Sequence, residues 1–263
     1  MPTQETGRLC WTEETWNPVT GCTKVSAGCK HCYAERIVGR FGHARIHKGL
    51  RVGRAKFSDV VCHPDRLSIP LHWRKPRKVF VCSMGDLFHE AVPDEFIKRV
   101  VATMTLCPAH TFQILTKRPG RMLAFYTHPQ PWPTATLDNV WLGVSVEDQA
   151  TADARTPLLL QTPAAVRFVS YEPALGPVNF ECFPSTGCPT GWLEDERGID
   201  WIICGSESGP KARPMHIELA RSVRDQCVTN DLPFFYKQGP GDDRVAFSKA
   251  PQLDGRTWRE FPR

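Results

Sequence analysis

Residues 15–36 read TWNPVTGCTKVSAGCKHCYAER, with Cys22, Cys29 and Cys32 spaced C-x6-C-x2-C. Three thiolates can hold three corners of an iron–sulfur cube and leave the fourth iron open. That iron can bind a small molecule and pass it an electron, which a fully thiolate-ligated cluster cannot do. Residue types alone leave two other uses open. Zinc takes four ligands in structural sites, Cys3His among them, with His31, His43 or His63 available as the fourth. A disulfide with one spare thiol is the other. The chain around the loop has to decide.

Trp16 and Val19, just before Cys22, supply a first strand. Further on, short apolar, β-branched runs recur, each ending in polar residues. They are Val79–Cys82 (then Ser83, Asp86), Thr111–Leu115 (then Lys117, Arg118), Val140–Val144 (then Ser145, Glu147), Val166–Val169 (then Ser170, Glu172), Trp201–Cys204 (then Glu207) and Pro233–Tyr236 (then Lys237). Continuous apolar runs of this length suit strands buried on both faces. Helix-like stretches alternate with them: one opening at Pro93-Asp94-Glu95, one from Pro119 to Tyr126, one over Asp148–Leu160, and one striped by Ile217, Ala220, Val223 and Cys227. The alternation predicts an α/β fold with a parallel sheet of about seven βα units: a partial or nearly closed TIM-like (β/α) barrel. A doubly wound open sheet is the alternative, but no G-x-G-x-x-G or P-loop follows a strand. In the barrel, every polar cluster falls at one rim, together with the cysteine loop.

The 263 residues read as one domain, 1–263, interrupted by a basic insertion at about 40–75 and a Cys/Pro/Gly-rich loop at about 181–199. The stretch from Gly239 onward reads as an extended tail packed on the body. No apolar run spans a bilayer and the N-terminus has no h-region, so the reading is cytoplasmic with no membrane partner. Eleven cysteines in a reducing compartment argue for ligation by some and burial of others, such as Cys82 and Cys204 within apolar runs. Cys182 and Cys188 flank a loop without further ligands. Asp86, His89 and Glu90 match no H-E-x-x-H helix. Net charge is +5, and no acid occurs from Arg36 to Ser58, where seven Lys and Arg stand with His43 and His47. A second basic cluster spans residues 74–78. Such charge suits a nucleic acid or another anionic substrate, though a solvated basic face has the same composition.

The ordered motifs TWNPVTGC, CYAER, HPDRL, SMGDLFHE, LTKRP, WLGVSVEDQ, RFVSYEPALGP, CGSESGPKARPMH and FFYKQ cover nearly the whole chain. Together they resemble the phage and prophage three-cysteine-motif family. That family is of largely unknown function and is related to the radical S-adenosylmethionine superfamily. Gly85 and Ser206 depart from its usual small residues. The resemblance implies a 4Fe–4S cluster on Cys22, Cys29 and Cys32, with S-adenosylmethionine on the open iron. Reductive cleavage to a 5′-deoxyadenosyl radical would modify or repair a substrate such as nucleic acid or a nucleotide, with an external electron donor. On that reading Tyr33 shields the cluster, and Ser83 and Asp86 accept from the methionyl amino group. Lys117 or Arg118 meets the methionyl carboxylate, and Ser145, Glu147 and Glu172 face the ribose. Glu207 and Lys237 lie on the substrate side as catalytic candidates. The rival is a zinc- or cluster-stabilised nucleic-acid-binding protein without radical chemistry.

Overall fold

The structure, a computed structural model, describes residues 11–41, 56–128, 136–181, 192, 198–209, 211–240 and 251–262. Most of the basic run (residues 45–54, with His43 and His47), most of the 181–199 loop, and Cys10, Cys182 and Cys188 lie outside them.

The strands and helices alternate along the chain: β1 (Glu14–Trp16), β2 (Val19–Thr20), α1 (Tyr33–Phe41), β3 (Val61–Cys62), β4 (Lys78–Val81), α2 (Asp94–Thr105), β5 (Thr111–Thr116), α3 (Pro119–Tyr126), β6 (Val140–Val146), α4 (Gln149–Gln161), β7 (Val166–Tyr171), β8 (Trp201–Gly205), α5 (Ile217–Thr229), β9 (Phe234–Gln238) and the hairpin β10 (Gln252–Leu253) and β11 (Arg256–Thr257). Seven of the strands form one parallel sheet in the order β1-β4-β5-β6-β7-β8-β9.

The sheet is curled into a half-barrel. Trp11, just before β1, packs its ring 6.0 Å from Phe168 on β7 and 6.2 Å from Trp201 on β8. β1 and β8 are five strand spacings apart, about 24 Å in a flat sheet at about 4.8 Å per strand. Only strong curvature brings those rings together. The concave side is filled at its base by Trp11, Phe168, Trp201, Ile203 and Phe235. The larger core, with Val79, Val81, Val169, Tyr171, Ile202 and Cys204, lies between the convex face and the helices. Alternate residues of one strand thus enter two cores, which is why the runs are apolar throughout.

The C-terminal segment finishes the body. Tyr236 donates its amide to the Trp258 carbonyl at 3.0 Å and Glu260 to that of Phe234 at 3.2 Å, so residues 258–260 cover the outer edge of β9. Phe261 then stacks 5.1 Å from Trp201 and sits under the Lys78 ammonium at 4.2 Å. Arg77 pairs with Glu14 at 2.8 Å. The second basic cluster therefore includes residues engaged at the start of β4, the opposite end of that strand from its polar rim.

The stretch expected to be an irregular basic insertion contains ordered structure where it is described. β3 pairs with β2, the Trp16 indole donates to the Arg66 carbonyl at 2.8 Å, and His63 and Thr20 bond at 2.8 Å. Gly21 is the pivot between β2 and the cysteine loop. Its φ is +90°, and a Cβ there would lie 2.2 Å from the Asp59 carbonyl oxygen, so only glycine fits.

Candidate functional site

Strand periodicity builds the site. On each strand the concave residues recur every second position, and the polar ones follow the apolar ones in the same register. Leu115 leads to Lys117, Phe168 to Ser170 and then Glu172, and Phe235 to Lys237. Ser145 continues the row of Trp141 and Gly143. All of these polar residues line one cavity of about 480 Å³ at the carboxyl ends of the strands, and Cys22, Cys29 and Cys32 line the same cavity from the loop above. Tyr33, Ser83, Asp86, Arg118 and Glu207 complete that wall. Of the residues singled out in the sequence, Glu147, expected to face the ribose, does not line this cavity: its side chain is wholly buried and paired with Lys117 and Arg155, while the others are brought together.

The three cysteines are free and half-buried. Burial, with the Asp86 charge, pushes the Cys22 thiol up to about 11, while Arg118 opposes the shift. Among the described residues no three His, Cys, Asp or Glu side chains are gathered to hold a single metal ion. Cys82, expected inside a strand, stands one residue past β4 with a φ of +62° and borders the cavity as a fourth cysteine. Its thiol is buried, which raises its pKa well above the ordinary value.

Several residues expected to meet a ligand are held by protein partners. Asp86 accepts from the Thr116 hydroxyl at 2.8 and 2.9 Å and from the Phe88 amide at 2.9 Å, and so organises the turn after β4. Lys117 pairs with Glu147 at 2.9 Å. Burial by itself raises the Glu147 carboxyl, but Lys117 and Arg155 outweigh it and hold the group below its ordinary range. Arg118 is locked to Glu90, Thr23 and Cys22. Glu207 is gripped through both oxygens by Arg213, which outweighs burial and lowers its pKa. Tyr33 donates to the Ser83 carbonyl at 2.5 Å, and the Ser83 hydroxyl to Asn17 at 3.2 Å.

What remains facing the cavity is a small polar set. Ser145 and Ser170 are register partners on adjacent strands, and neither hydroxyl has a protein hydrogen-bond partner among the described residues. Glu172 accepts from the Lys237 ammonium through both oxygens at 2.8 and 2.7 Å. Sequence reasoning passed over Ser170 as a site residue and gave Arg213 no part. The alternation on β7 was signal enough for Ser170; nothing local marks Arg213.

Fold and site define a half-barrel of parallel βα units with a three-cysteine loop over its mouth. The chain belongs to the family described as Protein of unknown function (DUF5131), which it matches over residues 6–262. No curated protein matches it. Among solved structures it is similar to a mutant of spore photoproduct lyase, with 10% identity and a TM-score of 0.43, over 73% of this chain and 56% of that one. No helix among the described residues is long and apolar enough to cross a membrane.

Proposed function

We propose that this protein is a radical S-adenosylmethionine enzyme whose 4Fe–4S cluster is held by Cys22, Cys29 and Cys32. One observation carries the reading: three free thiols of a single loop border a cavity at the rim where βα loops of parallel barrels build active sites. The donor set fits by type, since iron–sulfur clusters are held by Cys thiolates and the loop presents three free ones.

When bound, the cluster and S-adenosylmethionine supply one-electron cleavage of the sulfonium to a 5′-deoxyadenosyl radical that removes a substrate hydrogen. The chain's own residues bind and orient. Tyr33, tied to the Ser83 carbonyl, covers the cysteine side of the cavity. The Ser145 and Ser170 hydroxyls are placed for ribose oxygens. Asp86 and Ser83 shape the end of β4 for the methionyl amino group, and Lys117 is the cation on the carboxylate side. Glu172 and Lys237 offer an acceptor and a donor side by side deeper along the wall, with Glu207 beyond. Trp11, Phe80 and Leu115 close the floor against water.

The mouth suits an anionic substrate with an apolar face, a nucleic acid or nucleotide. Val25, Tyr33 and Ile37 are exposed apolar side chains lining the cavity, and Lys30, Arg36 and Lys211 are exposed basic residues of the cysteine loop, α1 and the segment after β8. An external electron donor completes the system, in a cytoplasmic setting.

The test is anaerobic reconstitution with iron and sulfide, then strong reductant and S-adenosylmethionine. The expected product is 5′-deoxyadenosine. A reconstituted cluster that never yields it ends the proposal, and one equivalent of zinc without iron uptake favours a structural metal clip.

A further inference from the structure

Besides the Tyr33–Ser83 bond that follows Cys32 and the His89–Thr23 bond, three charged side chains of the rim hold the cysteine loop. Arg118, following β5, bonds the Cys22 sulfur and both oxygens of Thr23. Glu147, following β6, accepts the Ser26 hydroxyl at 2.9 Å. Arg213, itself held by Glu207, donates to the Ala27 carbonyl at 2.9 Å. The first tie holds the Cys22 half of the loop. The other two hold Ser26 and Ala27, in the half that carries Cys29 and Cys32, whose far end Tyr33 ties to the Ser83 carbonyl.

Glu147 has the features of an anchor. It is wholly buried, and Lys117 and Arg155 pin its Oε1 at 2.9 and 3.1 Å. A buried carboxylate paired in this way has one place to be. Ser26 gives its only hydroxyl proton to that oxygen, so the Cys29 sulfur, 3.9 Å from the same hydroxyl, is left to act as donor to it. One hydroxyl thus links the anchor to a cysteine. Gly28 supplies the second observation. It is not among the positive-φ glycines, so its backbone does not require glycine. Yet a Cβ there would lie 2.5 Å from Glu147 Oε1 and 2.6 Å from its carboxyl carbon. The loop backbone rests directly on the carboxylate, and only the absence of a side chain allows it.

We infer that Glu147, acting through Ser26 and Gly28, is the positioning residue that presets Cys29 and Cys32 for metal capture, independently of the Arg118 tie on Cys22. The inference rests on the reading of the three cysteines as ligands, but its test needs no metal.

Metal-free protein is treated with iodoacetamide under native conditions, and each cysteine is followed by peptide mass spectrometry. In Ser26→Ala the labelling of Cys29 and Cys32 accelerates about fivefold, the population shift that one net hydrogen bond supports, while Cys22 keeps its wild-type rate. Gly28→Ala gives a larger acceleration with the same selectivity. Both keep all ionic partners of Glu147, so the fold survives where Glu147→Gln could lose it. Unchanged rates at Cys29 and Cys32 in both variants overturn the inference, as does acceleration of Cys22 and core Cys204 in step with them. Iron uptake by the wild type, measured alongside, decides the cluster reading separately.

Discussion

The Arg118 guanidinium donates to the Cys22 sulfur at 3.4 Å. The same group bonds both Glu90 oxygens at 3.0 Å, Thr23 at 2.8 Å and lies 3.5 Å from Asp86, with 6% of its surface exposed. Removing one partner from such a network leaves buried charge uncompensated. Arg118→Met is expected to cost about 3 kcal/mol, the low end of the range for buried pairs because Glu90 is largely solvated. Urea unfolding of the metal-free protein measures it; a loss below about 1 kcal/mol would mean the network behaves as a surface pair.

His89 sets a pH dependence. Its Nδ1 accepts the Ala91 amide at 3.1 Å, so the neutral ring carries its proton on Nε2, 2.9 Å from the Thr23 hydroxyl. Burial lowers its pKa below the ordinary 6.5, helped by Arg118 and Arg121 and opposed by Glu90 and Asp86. On acidification the unfolded chain therefore takes up the proton first. The His89 contribution to stability is complete above 6.5 and is lost as the pH falls below it, with a slope of at most about 1.4 kcal/mol per pH unit. Urea midpoints of the wild type should fall between about pH 7.5 and about pH 5.5, and those of His89→Gln should fall less. Equal falls would assign the dependence elsewhere.

Cysteine replacements separate ligands from core. Cys22→Ser, Cys29→Ser and Cys32→Ser should each abolish stable iron and sulfide uptake on anaerobic reconstitution. Cys204→Ala should not, because that thiol is fully buried among convex-face residues of β8. It should instead lower stability by about 1 kcal/mol. Iron content per chain is the readout, and full uptake by any of the three loop variants contradicts the assignment.

Trp201 is the keystone of the concave core. Its ring meets Trp11, Trp141, Phe168, Phe235 and Phe261, and its indole donates to the Glu260 carbonyl at 2.9 Å. Trp201→Ala is expected to cost about 3–5 kcal/mol and to release the C-terminal segment. Proteolysis near residues 258–262 together with the urea midpoint checks both. A large stability loss with the segment still protected would detach the tail from this contact.

The sheet was legible because strands buried on both faces read as continuous apolar runs. The runs beginning at Thr111, Val140, Val166 and Trp201 start where β5, β6, β7 and β8 start. α1 was not expected. It is a nine-residue helix with Ala34 and Val38 buried, while Tyr33 and Ile37 are exposed at the cavity mouth, so no long apolar stripe announces it. The site was legible as a set of residue types and illegible as a set of pairings. Glu172 and Lys237 are 65 residues apart, Ser26 and Glu147 are 121 apart, and Ala27 and Arg213 are 186 apart. Before folding, each of those charges looks available for a ligand. The curled sheet gives several of them to one another.

The Glu172–Lys237 pair faces the cavity with both members. Its side chains keep 19% and 27% of their surface exposed, and the pair spans β7 and β9 with only Gly205 between them on β8. Both side chains are nearly three-quarters buried or more, so the pair lies between a surface pair and a buried one, and removing its cation costs about 1–2 kcal/mol. Lys237→Met should therefore cost about 1–2 kcal/mol of stability in urea unfolding while weakening S-adenosylmethionine binding to the reconstituted protein or slowing 5′-deoxyadenosine formation by at least about tenfold, the loss of one charge-assisted hydrogen bond. Calorimetric titration with S-adenosylmethionine distinguishes the two, since a cofactor contact changes the affinity and a substrate contact leaves it intact. Wild-type binding together with wild-type turnover in Lys237→Met would remove the pair from the site.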